Sequence, residues 1–195
     1  MMTRTLIAAA LSLACAGAFA QTTAASTVQR DVNQQTRIES GLKDGSLNTR
    51  EAAKLEKEES HVDHLQAKDL KDGKLSDAER SQLSAAQNKV SRDIAADKHN
   101  GVVGNPNSAS SKRMQADVAR NANQEKRIES GIQNGSLTNH EVSKLERGQA
   151  HVDRKEARAG SDGHVGKAEQ RGIQRAENHQ SKRIHHEKHD AQVRG

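Results

Sequence analysis

Sliding the chain along itself by ninety positions aligns Val28–Asn100 with Val118–Asp190 without a gap, at 30 identities in 73 positions. A repeat of that length is a duplicated structural unit, and it obliges both halves to adopt related folds. The stretch between the copies, NGVVGNPNSASSK, holds Pro106, the only proline of the chain, amid Asn, Ser and Gly. That composition predicts a flexible linker over 100–112, between one module at 25–99 and another at 113–190.

Each copy carries three apolar stripes at helical spacing. In the first they are Val28, Val32, Ile38 and Leu42; then Ala52, Leu55, Val62 and Leu65; then Leu83, Ala86, Val90 and Ile94. The second has Met114, Val118, Ile128 and Ile132; then Val142, Leu145 and Val152; then Ile173, Ala176 and Ile184. No alternation of useful strand length interrupts them. The predicted fold class is all-α, two tandem three-helix modules joined by a flexible linker. The second module is expected to be the weaker. Leu65 and Leu70 become Lys155 and Gly160, and Gly148 falls inside its middle helix, which costs about 1 kcal/mol against Ala. Fraying is expected beyond residue 155.

The N-terminus reads as an export signal. Arg4 precedes an apolar run from Leu6 to Phe19, too short to span a bilayer comfortably. Ala18-Phe19-Ala20 is a small-x-small cleavage site, which places the signal peptide at 1–20 and the cut between Ala20 and Gln21. A periplasmic or secreted protein is expected. Ser12-Leu13-Ala14-Cys15 loosely follows a lipobox, so lipid attachment at Cys15 is the alternative. No second long apolar run follows, and no transmembrane segment is expected.

Phe19 and Cys15 are the only aromatic and the only cysteine. The chain beyond the cut therefore has no disulfide and no ring on which a base could stack. Net charge falls from +5 to +4 when Arg4 is removed, and both signs are interleaved; nucleic acid is not an expected partner. There is no Gly-x-Ser-x-Gly, no phosphate loop and no cysteine nucleophile, and the chain is not expected to be an enzyme.

Four turns share the pattern Asp/Asn-Gly-x-apolar-x-x-x-Glu, running from Asp44 to Glu51, Asp72 to Glu79, Asn134 to Glu141 and Asp162 to Glu169. They resemble the back half of an EF-hand calcium loop, whose Gly makes the turn and whose Glu grips the ion. The front half is wrong. The first ligand positions would be Ser40, Lys68, Ser130 and Arg158, and the third would be Leu42, Leu70, Ile132 and Gly160. Calcium takes 6–8 oxygens, and these loops lack the full set. A helix cap explains the same Glu: Asn48-x-x-Glu51, Ser76-x-x-Glu79 and Thr138-x-x-Glu141 are capping boxes.

Histidine offers a second metal chemistry. His61 and His64 are three apart with Glu58 one turn earlier, and His185, His186, His189 and Asp190 cluster at the C-terminus. Such sets suit Cu, Zn or Ni. The competing reading is a solvated basic helix end, where His and Lys complement the helix dipole. The RIxxG opening and the KH close of each copy resemble those of small secreted proteobacterial helical-repeat proteins with degenerate EF-hand-like turns. The resemblance covers both copies and implies no chemistry.

The function expected from the sequence is non-enzymatic binding in the cell envelope, with an envelope component or an anionic envelope surface near Lys182 and Arg183 as partner. No cofactor is required. A divalent-metal buffer (Cu, Zn or Ni before Ca) using histidines and carboxylates is the alternative.

Overall fold

A computed structural model describes the backbone of residues 15–192 and the side chains from residue 24 onward. The signal segment, its cleavage point and the Cys15 side chain lie outside the residues so described. Six helices follow in order: α1 Cys15–Asp44, α2 Thr49–Asp69, α3 Asp77–Lys98, α4 Ala109–Gln133, α5 Asn139–Ala159 and α6 Lys167–Glu187. A short 3-10 turn, Leu70–Asp72, extends α2, and no strand occurs among the described residues.

The stripes seen in the sequence form the core. Val28, Ile38, Leu42, Leu55, Val62, Leu83 and Ile94 are fully buried, as are Met114, Val118, Ile128, Val142, Leu145, Val152 and Ile184. The RIESG opening has a packing reason. Leu47 doubles back from the turn and its N–H donates to the Gly41 carbonyl at 2.9 Å; a Cβ on Gly41 would stand 2.7 Å from Leu47 Cγ. Leu137 sits on Gly131 in the same way. Gly45 and Gly135 carry the left-handed φ of +79° and +76° that this reversal needs.

The two copies pack face to face. α1 runs against α4 and α2 against α5, while α3 covers α1 and α2, and α6 covers α4 and α5. The start of α2 meets the end of α5: a Cβ on Gly160 would lie 2.8 Å from that of Ala53. The start of α5 meets the end of α2, where Ser143 donates to the Ala67 carbonyl. At the crossing, Ser60 Oγ donates to the carbonyl of Ala150 at 2.8 Å, its own counterpart in the repeat. A residue that touches its own counterpart lies on a pseudo-two-fold axis. Both apolar clusters mix the copies, one joining Leu42 and Leu55 with Met114 and Ile173, the other joining Val28 and Leu70 with Ile132 and Leu145.

Beyond residue 155, where fraying is expected, the second copy is helical: α5 reaches Ala159 and α6 runs from Lys167 to Glu187. The positions that lost apolar mass serve close approach instead. Gly160 lets α5 meet α2, and Gly148 makes room for Gln180, whose Nε2 donates to the Leu145 carbonyl at 2.8 Å. The 100–112 stretch is not an unattached tether. Residues from Ala109 onward belong to α4, Gly104 N–H donates to the Gly45 carbonyl at 2.8 Å, and Gln115 Nε2 reaches the Pro106 carbonyl at 2.9 Å.

Candidate functional site: a buried oxygen-rich centre

Helices α1, α2, α4 and α5 are surrounded by neighbours, so polar residues beside their apolar stripes are buried as well. Thirteen of the 26 acidic side chains are buried, whereas no Lys, Arg or His is among the buried residues described. Buried carboxylates are normally paired with a cation or hydrogen-bonded throughout. Among the described residues two cations come close to these acids: Arg120, part-exposed, pairs with Glu177 at 3.2 Å, and the exposed Lys68 lies 3.7 Å from Asp69.

At the centre, oxygens of Asp31, Asp63 and Glu146 lie within 4.8 Å of one another, as do those of Glu56, Asp153 and Glu156. Shifting by ninety residues turns the first set into the second, with one exchange. Asp63 corresponds to Asp153, and Glu56 to Glu146, so each cage draws on both copies. The exchange involves an acid and an amide. The first cage pairs Asp31 with Gln66, whose Nε2 donates to it. The second has Asn121 in place of the Asp and Glu156 in place of the Gln, and Asn121 Nδ2 donates to Glu156 and to Asp153, each at 2.9 Å. The substitutions compensate: each cage keeps three carboxylates and one amide. Nearby, Gln35 and Glu59 of the first copy become Glu125 and Gln149 in the second, a second exchange of the same kind.

Many of these atoms face no donor. Both oxygens of Glu146 and Glu59, Oε1 of Glu56 and Glu156, and the amide oxygens of Gln66 and Asn121 are buried without a hydrogen-bond partner. Burial raises every carboxyl in the cluster. Asp31 and Glu56 are pushed up to about 7, against hydrogen bonds from Gln87 and Gln66 to the first and from Gln35 to the second. Glu59, Asp63, Glu125, Glu146, Asp153 and Glu156 are raised well above the ordinary range, by burial first and neighbouring carboxylates second. Asp63 faces Asp153, and Glu56 faces Glu156. Such facing pairs need a proton or a cation between them.

The residues singled out from the sequence lie elsewhere. Asp44, Asp72, Asn134 and Asp162 each accept from the backbone N–H two residues on. Glu51, Glu79, Glu141 and Glu169 each accept the N–H of their helix cap. One oxygen of each of these side chains is thus engaged in the scaffold, while Oε1 of Glu141 is buried without a hydrogen-bond partner. His61 and His64 are exposed and line a groove with Lys57, Arg154 and Arg158, and Glu58 is bound to Lys89 at 3.1 Å. His185 and His189 stack at 4.3 Å, and Nδ1 of His189 meets the His185 carbonyl at 2.7 Å, as His99 meets Ala95 in the first copy. His186 is exposed, and Asp190 is brought to Glu141 and Glu187 rather than to the histidines. Among the described residues, no histidine falls within a group of three close metal-ligating side chains.

The chain matches no protein-family model, no curated protein and no solved structure.

Proposed function

We propose that the protein binds hard, oxygen-seeking divalent cations of the calcium class inside the bundle, one in each cage, without catalysing a reaction. The observation that carries this reading is the pair of buried triads with unpartnered amide oxygens beside them. Three carboxylates and an amide offer up to about seven oxygens, which suits calcium at 6–8. Magnesium suits the cages less, because it holds on to several waters, and soft metals prefer thiolate or imidazole, neither of which is present. This retains metal buffering but moves it from the histidines to buried carboxylates of α1, α2 and α5. The EF-hand-like turns of two tandem three-helix modules then act as scaffold. The Arg4 to Ala20 segment, read as an export signal, supports a buffer in the envelope.

Cation binding here displaces protons, because carboxyls raised to about 7 hold them at neutral pH. Titrating chelator-treated protein with Ca, Mn, Mg and Zn by calorimetry in buffers of different ionisation heat tests this. Two binding events for Ca or Mn are expected, with protons released into the buffer. His61→Ala with His185→Ala should leave them unchanged. Absence of heat and of thermal stabilisation with all four metals at millimolar concentration would overturn the reading.

A further inference from the structure

On the outer side of the second copy, away from the buried cages, a cleft of about 430 Å³ opens between α5 and α6. Arg147, His151, Lys155, Arg175, His179 and Arg183 line it, and no carboxylate does. The corresponding positions of the first copy are Lys57, His61, Leu65, Ala85, Lys89 and Asp93, with Glu58 where the second copy has Gly148. There Lys89 binds Glu58 at 3.1 Å and Asp93 at 2.5 Å. The first copy thus sets two cations against two carboxylates, and the second sets four cations against none. Among the described residues, none of the four has a carboxylate within ion-pair distance.

The scaffold of the cleft is intact, so the charge reversal is not a symptom of a decayed fold. Ile173 and Ile184 keep α6 buried as Leu83 and Ile94 keep α3, and Gln180 crosses over Gly148 to the Leu145 carbonyl at 2.8 Å. Four like charges gathered in a concave site repel one another and attract a counter-ion of matching shape. Arginine suits phosphate in particular, since its planar fork donates two parallel hydrogen bonds. The outward face of α5 continues the charge: Arg154 and Arg158 line the adjoining groove with Lys57, His61 and His64.

We propose that the cleft between α5 and α6 binds a ligand bearing two or more phosphate groups, one seated among Arg147, Lys155, Arg175 and Arg183 and the next along α5 toward Arg154 and Arg158. The free form of that chemistry is an inorganic polyphosphate, and the bound form is the headgroup layer of an anionic membrane. This site is separate from the cation cages and does not depend on them.

The test uses the full chain beyond the expected signal, stripped of metal on chelating resin, in 150 mM salt. Tripolyphosphate is titrated by calorimetry, and vesicles of phosphatidylglycerol and of phosphatidylcholine are tested by co-sedimentation. The key variant joins Arg175→Ala and Arg183→Asp, which installs first-copy residues on the same scaffold. The wild type is expected to bind tripolyphosphate, and the variant at least about tenfold more weakly with an unchanged circular dichroism melt, a loss typical of removed charge-assisted contacts. Lys89→Ala in the first copy should change nothing. Tripolyphosphate binding without vesicle binding supports the site with a soluble ligand. Binding of phosphatidylglycerol vesicles, lost in the variant, supports it with a lipid headgroup. No binding of either probe at millimolar phosphate, or equal losses in the double variant and Lys89→Ala, overturns it.

Discussion

The two cages hold the same donors on different residues. Asp31 with Gln66 on one side of the axis answers to Asn121 with Glu156 on the other, and Gln35 with Glu59 answers to Glu125 with Gln149. If these acids merely filled space, nothing would require an acid lost at one position to reappear at its partner. The comparison shows charge and oxygen count retained per cage while the residue supplying them changes. The outer clefts behave in the opposite way, since the first copy neutralises its cations and the second does not. One duplication has preserved its interior chemistry and diverged at its surface.

The largest expected effect tests whether the cages hold cations at all. Acids whose folded pKa is raised favour the folded state below their ordinary value, near 4, and that contribution is lost as pH rises through the folded value. For Asp31, Glu56 and Asp117 the window closes near 7, and for Glu177 near 8. Stripped of metal, the protein should therefore melt at progressively lower temperature between pH 5 and pH 8. Calcium at a hundredfold to a thousandfold excess over its Kd should restore about 3–4 kcal/mol per site, or roughly 10–30 °C over two sites. A melting temperature independent of pH and calcium would remove the distinction between these acids and an ordinary polar interior.

The next effect tests the compensation directly. Asp31→Asn alone leaves the first cage with two carboxylates, and one calorimetric binding step should weaken by about 2–3 kcal/mol, the scale of a lost charge-assisted contact. Adding Gln66→Glu gives that cage the composition of the second, and affinity should return to within about threefold. Gln66→Glu alone adds a fourth carboxylate and should lower the metal-free melting temperature at pH 8. If the double variant binds no better than Asp31→Asn, the pairing of acid and amide carries no meaning.

A smaller effect concerns the shared turn. Gly41→Ala and Gly131→Ala each drive a methyl into a Leu side chain, within 2.7 Å at Leu47 and 2.6 Å at Leu137, and should cost about 1–3 kcal/mol in chemical denaturation. Gly73→Ala meets nothing within 4 Å but must adopt φ +84°, a strain of about 1 kcal/mol. The smallest effect is at the caps. Asn48→Ala should cost about 1 kcal/mol, while Gly166→Ser, supplying the side-chain cap that α6 lacks, should gain a few tenths.

The fold was readable because apolar periodicity reports burial. The Val, Ile, Leu and Met residues of the stripes are all buried, Ala86 and Ala176 are half-buried, and Asn48, Ser76 and Thr138 cap as their motifs say. The centre was hidden for the same reason. Glu56, Glu59 and Asp63 adjoin Leu55 and Val62 on α2, where a carboxylate reads as the wet margin of a stripe. They are buried because α5 covers that margin, which is tertiary information. One signal was present: Glu56 and Asp63 recur unchanged as Glu146 and Asp153, while exposed neighbours such as Lys57 and His64 became Arg147 and Arg154.

The Ser60 to Ala150 contact on the axis bears on how such a centre could arise. A chain of half this length carries Asp63 and Glu56 but cannot close either cage, because every cage borrows across the crossing. Two such chains would have to meet, residue 60 against residue 60, before either set of three carboxylates came together. Covalent fusion turns that encounter from a concentration-dependent event into a property of one molecule. It also frees the two halves to exchange acid for amide, which identical subunits could never do.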